Sequence, residues 1–322
     1  MLHKVMSRIT LITAAVCALV VVAPAAAYAA YYNTYTTVAT LGNAEGCTAD
    51  EGFAVGSTYT YSVKIDSAED KAIIYRTTMS DGTVTLMSNG DTNTDYATYL
   101  GHANDVALMS NGGNYYMYVV TMNAGSTSLV KLQYVGTTYK KVGSYTITSG
   151  GTNVAMSGVK IVQKDSTYAY FLFKSATSFY RGKLGLTATS GSIPLTHAFD
   201  VDIDSAKVDG STVSNIDSFA TQGIGYYDSS LYFVLTYENV SIVLVYDDIL
   251  DIYNSSSQLP PPLIEADSNL SFRITSSAYP YKFEMEGVGI ASGVLWFSAN
   301  RQTSSSDLSH DGVFYFNDYV AS

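Results

Sequence analysis

The chain has 322 residues, a length that suits one large all-β domain or two smaller domains. Hydrophobic residues make up 47% of the chain and charged residues only 14%, which excludes an intrinsically disordered protein. The net charge is −11, and an acidic surface repels phosphate groups. We therefore expect neither nucleic acid nor anionic lipid as a partner.

Residues 1–29 have the three-part pattern of a secretory signal peptide. Lys4 and Arg8 precede an apolar run, and an A-x-A cleavage site follows at 27–29. The run is too short to cross a bilayer comfortably, and no later segment has the length of a transmembrane helix. We therefore expect residues 30–322 to be secreted or associated with a cell surface.

Nearly every segment after Tyr31 is a short alternating run rich in Tyr, Val, Thr and Ile, which favours β-strands. Turn clusters such as SDGT, SNGG and TSGG separate these runs. No window predicts a convincing amphipathic helix, although the segment 248–253 could form one helical turn. The sequence therefore predicts an all-β fold.

One short motif recurs five times, at intervals of 53 to 65 residues, and begins with a polar residue before Gly or Asp. Each copy is followed by a turn, a strong second strand and a third strand, which is the order of strands in a propeller blade from the axis outward. The blades would start near residues 50, 103, 156, 221 and 285. The five polar residues are Glu51, Asn104, Ser157, Gln222 and Glu286.

The last repeat lacks an outer strand, because few residues follow its third strand. The segment 34–41 could supply it, which would join the two ends of the chain and leave no open sheet edge. We therefore expect residues 30–322 to form a single five-bladed β-propeller closed by this N-terminal strand. The alternative is a pair of β-sandwich domains that divide near residue 150.

The inner strands of a propeller begin at one mouth of the axial channel, where function often resides. We predict a ligand-binding site there, built from the five polar repeat residues with His102 and Asp105. His102 and Asn104 would lie on one side of an extended strand and Asp105 on the other. In the competing structural interpretation, glycines let crowded inner strands approach and the polar groups satisfy the backbone. These glycines are Gly52, Gly158, Gly223 and Gly287.

Catalytic motifs with a fixed spacing are missing: the sequence has no GxSxG elbow, no HExxH, no phosphate-binding loop and no paired CxxC. Carboxylates near the channel mouth are the remaining candidates, because glycosidases use two carboxylates across the scissile bond. These candidates are Glu51, Asp105, Glu284 and Glu286. Nothing in the sequence fixes which two would form the pair.

Asp200, Asp202 and Asp204 alternate in the segment FDVDID and would share one strand face. They could bind a hard cation such as Ca²⁺, and no other cofactor is expected. The segment is not an EF-hand, since Ser205 occupies the Gly position and Ser211 the closing Glu position. A solvated strand face is the alternative.

Three repeat segments, HAN at 102–104, QGI at 222–224 and EGV at 286–288, resemble those of the helveticin-type secreted bacteriocins. That family also carries an H-A-polar segment before an apolar strand and a QG segment that leads into a strand. The resemblance covers most of the mature chain in outline. It implies a secreted bacterial protein that acts at a cell surface, and it carries over no site residue.

Export, an acidic and Tyr-rich composition and the lack of a catalytic motif favour a non-catalytic, monomeric propeller. Such a propeller would bind a glycan or a protein of a cell surface or of the environment. One alternative is a glycoside hydrolase or lyase that uses the channel-mouth carboxylates. Two close carboxylates, one with its pKa raised by burial, would favour that enzyme. The other alternative is a bacteriocin-like toxin that acts on a competitor's envelope.

Overall fold

The computed structural model describes residues 34–208, 210–255, 260–268 and 271–317. The predicted signal peptide therefore lies outside the described residues. The first strand, β1, spans Tyr35–Thr40, close to the strand predicted at 34–41. Within the described ranges, no helix combines the length and the apolar character that a membrane span requires.

The first half of the chain forms two sheets whose successive main strands are antiparallel. The first sheet contains β2 (Ala49–Val55), β3 (Tyr59–Ile65), β4 (Ala72–Thr78) and β5 (Val84–Leu86). The short strand β6 (Ser88–Asn89) follows it. The second sheet contains β7 (Asp105–Asn111), β8 (Asn114–Val120), β9 (Leu129–Val135), β10 (Thr138–Ser149) and β11 (Thr152–Asn153), and β6 pairs with β10.

The second half repeats this pattern, with additions between the sheets. The third sheet contains β12 (Gly158–Lys164), β13 (Tyr168–Ser175), β14 (Ser178–Gly185) and β16 (Thr196–Asp202), while β15 (Ser190–Pro194) pairs with β10. A small hairpin follows, formed by β17 (Lys207–Val208) and β18 (Ser211–Thr212).

The last two sheets complete the chain. The fourth contains β19 (Ala220–Tyr227), β20 (Ser230–Tyr237) and β21 (Val240–Tyr246). Helix α1 (Ile249–Asn254) and strand β22 (Leu263–Glu265) follow in the chain, and β22 pairs with β16 as the fifth strand of the third sheet. Strand β23 (Phe272–Thr275) then completes the fourth sheet. The fifth contains β24 (Lys282–Ala291), β25 (Val294–Gln302), β26 (Gly312–Phe316) and β1. Two single-turn 3₁₀ helices span Ala44–Gly46 and Ile216–Ser218.

The first strand of each sheet is an inner strand: these are β2, β7, β12, β19 and β24. Each inner strand contacts the next one along the chain, and β24 contacts β2. All of them line a cavity of about 130 Å³. The structure is therefore all-β with a propeller-like arrangement, as predicted. It does not show the alternative of two β-sandwiches, because the last inner strand returns to the first.

Apolar side chains are buried between neighbouring sheets. Val63 of the first sheet and Met117 of the second share one cluster, and Tyr118 of the second shares another with Phe171 of the third. The fifth sheet packs on the first through Trp296, which is buried as part of such a cluster. Each large apolar side chain that is fully buried contributes roughly 1.5–3 kcal/mol, so these clusters hold the sheets together.

Glycines allow the inner strands to approach closely, as the structural interpretation predicts. A Cβ atom on Gly52 would lie 2.4 Å from the carbonyl oxygen of Ala103, and one on Gly223 would lie 2.6 Å from that of Glu286. The first oxygen belongs to the loop that leads into β7 and the second to β24, and as backbone atoms neither can rotate away as a side chain could. A side chain at either position would push two sheets apart.

We expect Gly52→Ala to lower the free energy of unfolding by roughly 1–3 kcal/mol, because the added methyl group overlaps a fixed backbone oxygen. Gly185→Ala is the matched control, since its Cβ would meet nothing closer than 3.9 Å. That variant should differ from the wild type by less than about 1 kcal/mol. Urea denaturation measures both, and equal stabilities of the two variants would contradict the close approach.

Candidate active site

Backbone bulges place three of the repeat residues at the start of the inner strands. Glu51 in β2 and Glu286 in β24 have no partner in register on the neighbouring strand, and in β19 the bulge lies at Gln222. A bulge inserts an extra residue, bends the strand and re-aims a side chain. In these three strands the polar residue of the repeat motif therefore marks a local break in the regular strand pairing.

His102 lies between two glutamates. Its Nε2 atom is 3.1 Å from a carboxylate oxygen of Glu51, and its Nδ1 atom is 3.0 Å from one of Glu69. The hydrogen bond and the charge of Glu51, aided by Glu69, outweigh burial and raise the pKa of His102 to about 9. His102 is therefore a cation at neutral pH, and it fixes the position of Glu51.

Glu51 is both shielded and reachable. Its side chain is 13% exposed. Burial raises the pKa of Glu51 above its ordinary value although His102 opposes this, and the charge of Glu284 raises the pKa further. A carboxyl group with a raised pKa that still meets solvent is suited to donate a proton.

Glu284 in β24 is the second carboxylate with access to solvent, since its side chain is 20% exposed. The Lys282 Nζ atom lies 2.5 Å from one carboxylate oxygen, and the Gln222 amide donates to the other at 3.1 Å. Burial lowers the pKa of Lys282, but the carboxylates of Glu284, Glu286 and Glu51 outweigh it and raise the pKa above its ordinary value. Glu284 therefore lies beside a cation.

Glu286 is the buried member of the group, with 3% of its surface exposed. Burial raises the pKa of its carboxyl group well above the ordinary value, and repulsion by Glu284, Glu51 and Asp50 adds to the effect. The Asn300 amide donates a hydrogen bond to its Oε1 atom at 2.6 Å. The neutral, protonated form of Glu286 is therefore favoured.

Asn300 in β25 connects the fifth sheet to the first. Its Oδ1 atom accepts a hydrogen bond from the backbone N–H of Asp50 at 2.9 Å, and its amide donates to the carbonyl oxygen of Asp50 at 3.0 Å. The same amide contacts Glu286. Asn300 thus fixes the two strands that carry Glu51 and Glu286 relative to each other.

Asn104, Ser157 and Asp105 join two sheets instead of facing the carboxylates. The Asn104 amide donates to the carbonyl oxygen of Ser157 at 2.6 Å. Asp105 is fully buried, accepts the backbone N–H of Val159 at 2.9 Å and pairs with Lys160. The prediction of a shared ligand site is therefore not met at these three positions, where the structural interpretation fits.

The other predicted ligand-binding residues come together with Glu284, a carboxylate that lies outside the repeat motif. The group consists of Glu51, His102, Gln222, Glu284 and Glu286. Sequence reasoning missed Lys282, Asn300 and Glu69, which hold this group. Only Lys282 had a local signal, because it lies two residues before Glu284 on the same strand and so on the same face.

The structure does not assemble the predicted cation site. Asp200 accepts a hydrogen bond from the Ser178 hydroxyl at 2.5 Å, and Asp202 accepts one from the Ser205 hydroxyl at 2.5 Å. Strand β16 ends at Asp202, so Asp204 no longer follows the alternation. Among the residues that the structure describes, no three His, Cys, Asp or Glu side chains form a group that could hold a metal ion.

We expect NMR titration of the imidazole to give His102 a pKa of about 9. Replacing Glu51 with Gln should lower that pKa by at least about one pH unit, since it removes the main stabilising charge. Glu69→Gln is the comparison and should lower it less. Since the pKa is raised on folding, the stability from this contact is complete below pH 6.5 and is lost as pH rises through about 9. A pKa unchanged by Glu51→Gln would contradict the assignment.

We expect Glu286→Gln to stabilise the protein more at pH 8 than at pH 4.5. A carboxyl group whose pKa is raised on folding contributes stability below its ordinary pKa and loses it as pH rises through the raised value. The difference should be on the order of 1–3 kcal/mol. Thermal unfolding at both pH values measures it, with the exposed Glu265→Gln as control. Equal effects of Glu286→Gln at the two pH values would rule out a raised pKa.

No protein-family model matches the sequence, and no curated protein is significantly similar to it. Similar solved structures include a GH43_1 enzyme from Xanthomonas citri, with 9% identity, a TM-score of 0.47 and coverage of 88% of this chain and 90% of that chain. The glutaminyl cyclase of Myxococcus xanthus has 9% identity, a TM-score of 0.46 and coverage of 89% and 97%. The RS223 β-xylosidase has 10% identity, a TM-score of 0.49 and coverage of 88% and 94%.

The expectation of a non-catalytic binding propeller is wrong. Close carboxyl groups with pKa values raised by burial, Glu51 and Glu286, are the feature expected of the hydrolase alternative. Several of the similar structures are glycoside hydrolases. At 9 to 10% identity they carry no residue over to this chain, so the case for catalysis rests on its own carboxylates. Secretion and the resemblance to helveticin-type bacteriocins stay predictions.

Proposed function

We propose that this protein is a glycoside hydrolase whose catalytic residues are Glu51 and Glu284. The observation that carries the proposal is the convergence of Glu51, Glu284 and Glu286 at the start of two neighbouring inner strands. Like charges held together in a partly buried place oppose folding, and such groups cluster at functional sites. Glycoside hydrolysis is the chemistry that two such carboxyl groups suit.

Glu51 is the general acid in this proposal, because its pKa is raised and its side chain reaches solvent. It donates its proton to the glycosidic oxygen as the bond to the anomeric carbon breaks. Glu284 is the partner carboxylate, which removes a proton from the attacking water or attacks the anomeric carbon itself. Its charge also stabilises the positive charge that develops on the sugar ring.

The neighbouring side chains support these roles. His102 and Lys282 each lie beside one of the two carboxylates, so each of the two negative charges has a positive neighbour. Glu286 is a positioning residue, since it is buried, accepts a hydrogen bond from Asn300 and in its favoured protonated form can donate one to Glu284. A site with this charge balance is suited to a glycan and would repel a phosphorylated substrate.

We also infer that the five sheets are the five blades of one ring, formed by residues 30–322. The pairing of β1 with β26 supports closure by the N-terminal strand, because it places both ends of the described chain in one sheet. The contact of β24 with β2 supports the same closure at the axis. A secreted enzyme with this fold would meet its glycan outside the cell, in agreement with the signal-peptide pattern.

We expect the purified protein to release reducing sugar from at least one member of a panel of neutral and acidic polysaccharides and aryl glycosides. Glu51→Gln and Glu284→Gln should each lower kcat by roughly 10²–10⁴-fold, since each removes a proton-transfer or nucleophilic group. Glu265→Gln, on the exposed strand β22, is the control and should keep full activity.

The pH profile separates catalysis from a structural effect. Wild-type activity should fall as pH rises through the raised pKa of Glu51, and this limb of the profile should be lost in Glu51→Gln. Turnover retained by both Gln variants would refute the assignment of the catalytic pair. An absence of turnover on every substrate of the panel would refute the proposed hydrolase.

A further inference from the structure

A second pocket lies between the first two sheets, at the end opposite the carboxylates. Its volume is about 430 Å³, within the range of small-molecule sites. Its lining begins at Gly56, directly after β2, and includes Ser110 near the end of β7. Since a strand rises about 3.3 Å per residue, Gly56 lies ~17 Å along the strand from Glu51. The pocket is therefore separate from the candidate active site.

Tyrosine side chains form both walls of this pocket. Tyr59 and Tyr61 are two residues apart on β3 and so share a face, while Tyr115 and Tyr134 are opposite each other on β8 and β9. The ring of Tyr134 lies 5.2 Å from that of Tyr61 and 5.8 Å from that of Tyr115, between centroids. Tyr115 is 53% exposed, so part of its ring is available to a ligand.

Arg76 is the cationic residue of the pocket. It lies opposite Tyr61 in the pairing of β3 with β4, and its guanidinium carbon is 4.3 Å from the centroid of the Tyr59 ring. Its Nη1 atom donates to the carbonyl oxygen of Gly136 at 2.7 Å, which fixes the guanidinium group at the pocket wall.

No carboxylate balances this charge. Within the described ranges, Arg76 forms no ion pair with an Asp or Glu, and the lining of the pocket contains neither residue type. Arg76 therefore differs from Lys282, whose charge is paired with Glu284, in that its charge faces a pocket without an acidic residue. The guanidinium group retains N–H donors beyond the one that Gly136 accepts.

We propose that this pocket binds a uronic acid, a sugar residue that carries a carboxylate. The planar guanidinium group of Arg76 can donate two parallel hydrogen bonds to a carboxylate. The exposed ring of Tyr115 provides a flat amphipathic surface against which a pyranose ring packs. A neutral sugar would gain only the second of these contacts. This site does not depend on the proposed hydrolysis, because it lies at the other end of the sheets.

Isothermal titration calorimetry with D-glucuronate, D-glucose and acetate tests the proposal. Glucuronate should bind at least about tenfold more tightly than either of the others, since a hydrogen-bonded charge pair and a stacked ring contribute together. Arg76→Gln should weaken glucuronate binding about tenfold or more and reduce its advantage over glucose. Tyr115→Ala, at an exposed position where folding should be unaffected, should weaken glucuronate binding too.

Two control variants locate the effect. Lys207→Gln removes an exposed positive charge elsewhere, and Glu51→Gln alters the candidate active site; both should bind glucuronate as the wild type does. Equal affinity for glucuronate and glucose, full binding by Arg76→Gln, or loss of binding in Glu51→Gln would each overturn the proposal. So would an absence of glucuronate binding at tens of millimolar ligand. If Arg76→Gln fails to fold, Tyr115→Ala decides between these results.

Discussion

The structure depends on how closely the inner strands approach one another around the axis. At Gly52 and Gly223 the backbone of one sheet lies where a side chain of its neighbour would otherwise be. This contact leaves room for only a hydrogen atom, so it fixes which residues can follow the bulged positions. The bulges next to these glycines then turn Glu51 and Gln222 out of the regular alternation. Close packing and the composition of the site are thus consequences of one steric constraint.

The crowding also has an electrostatic consequence. Burial disfavours the ionisation of Glu51 and Glu286, and the charge of Glu284 adds to this effect at both. Two cations, His102 and Lys282, offset this effect, and they form ion pairs only with Glu51 and Glu284. A fold selected for stability alone would place an apolar or amide group at the buried position. The presence of a carboxyl group at the buried position of Glu286 is therefore a physical argument for a chemical role of this site.

Local sequence patterns predict the elements well and the site only in part. The repeat motif marks the start of the inner strands, and at β2, β19 and β24 it combines a bulge with a glycine, both of which are local features. The partners Asn300 and Glu69 could not be predicted, since they reach Glu286 and His102 from other strands or loops. The cation site failed for a related reason: alternation holds only while a strand continues, and β16 ends at Asp202.

The two ends of the sheets differ in chemistry for the same geometric reason. At the start of the inner strands, bulges and glycines bring backbones together, so short polar contacts and carboxylates occupy the remaining space. At the opposite end, between the first two sheets, a pocket of about 430 Å³ remains, and large side chains such as Tyr115 and Tyr134 line it. An acidic site and a cationic, aromatic pocket can therefore coexist on one scaffold, because about 17 Å of strand lies between Glu51 and the edge of the pocket at Gly56, which exceeds the Debye length at physiological salt.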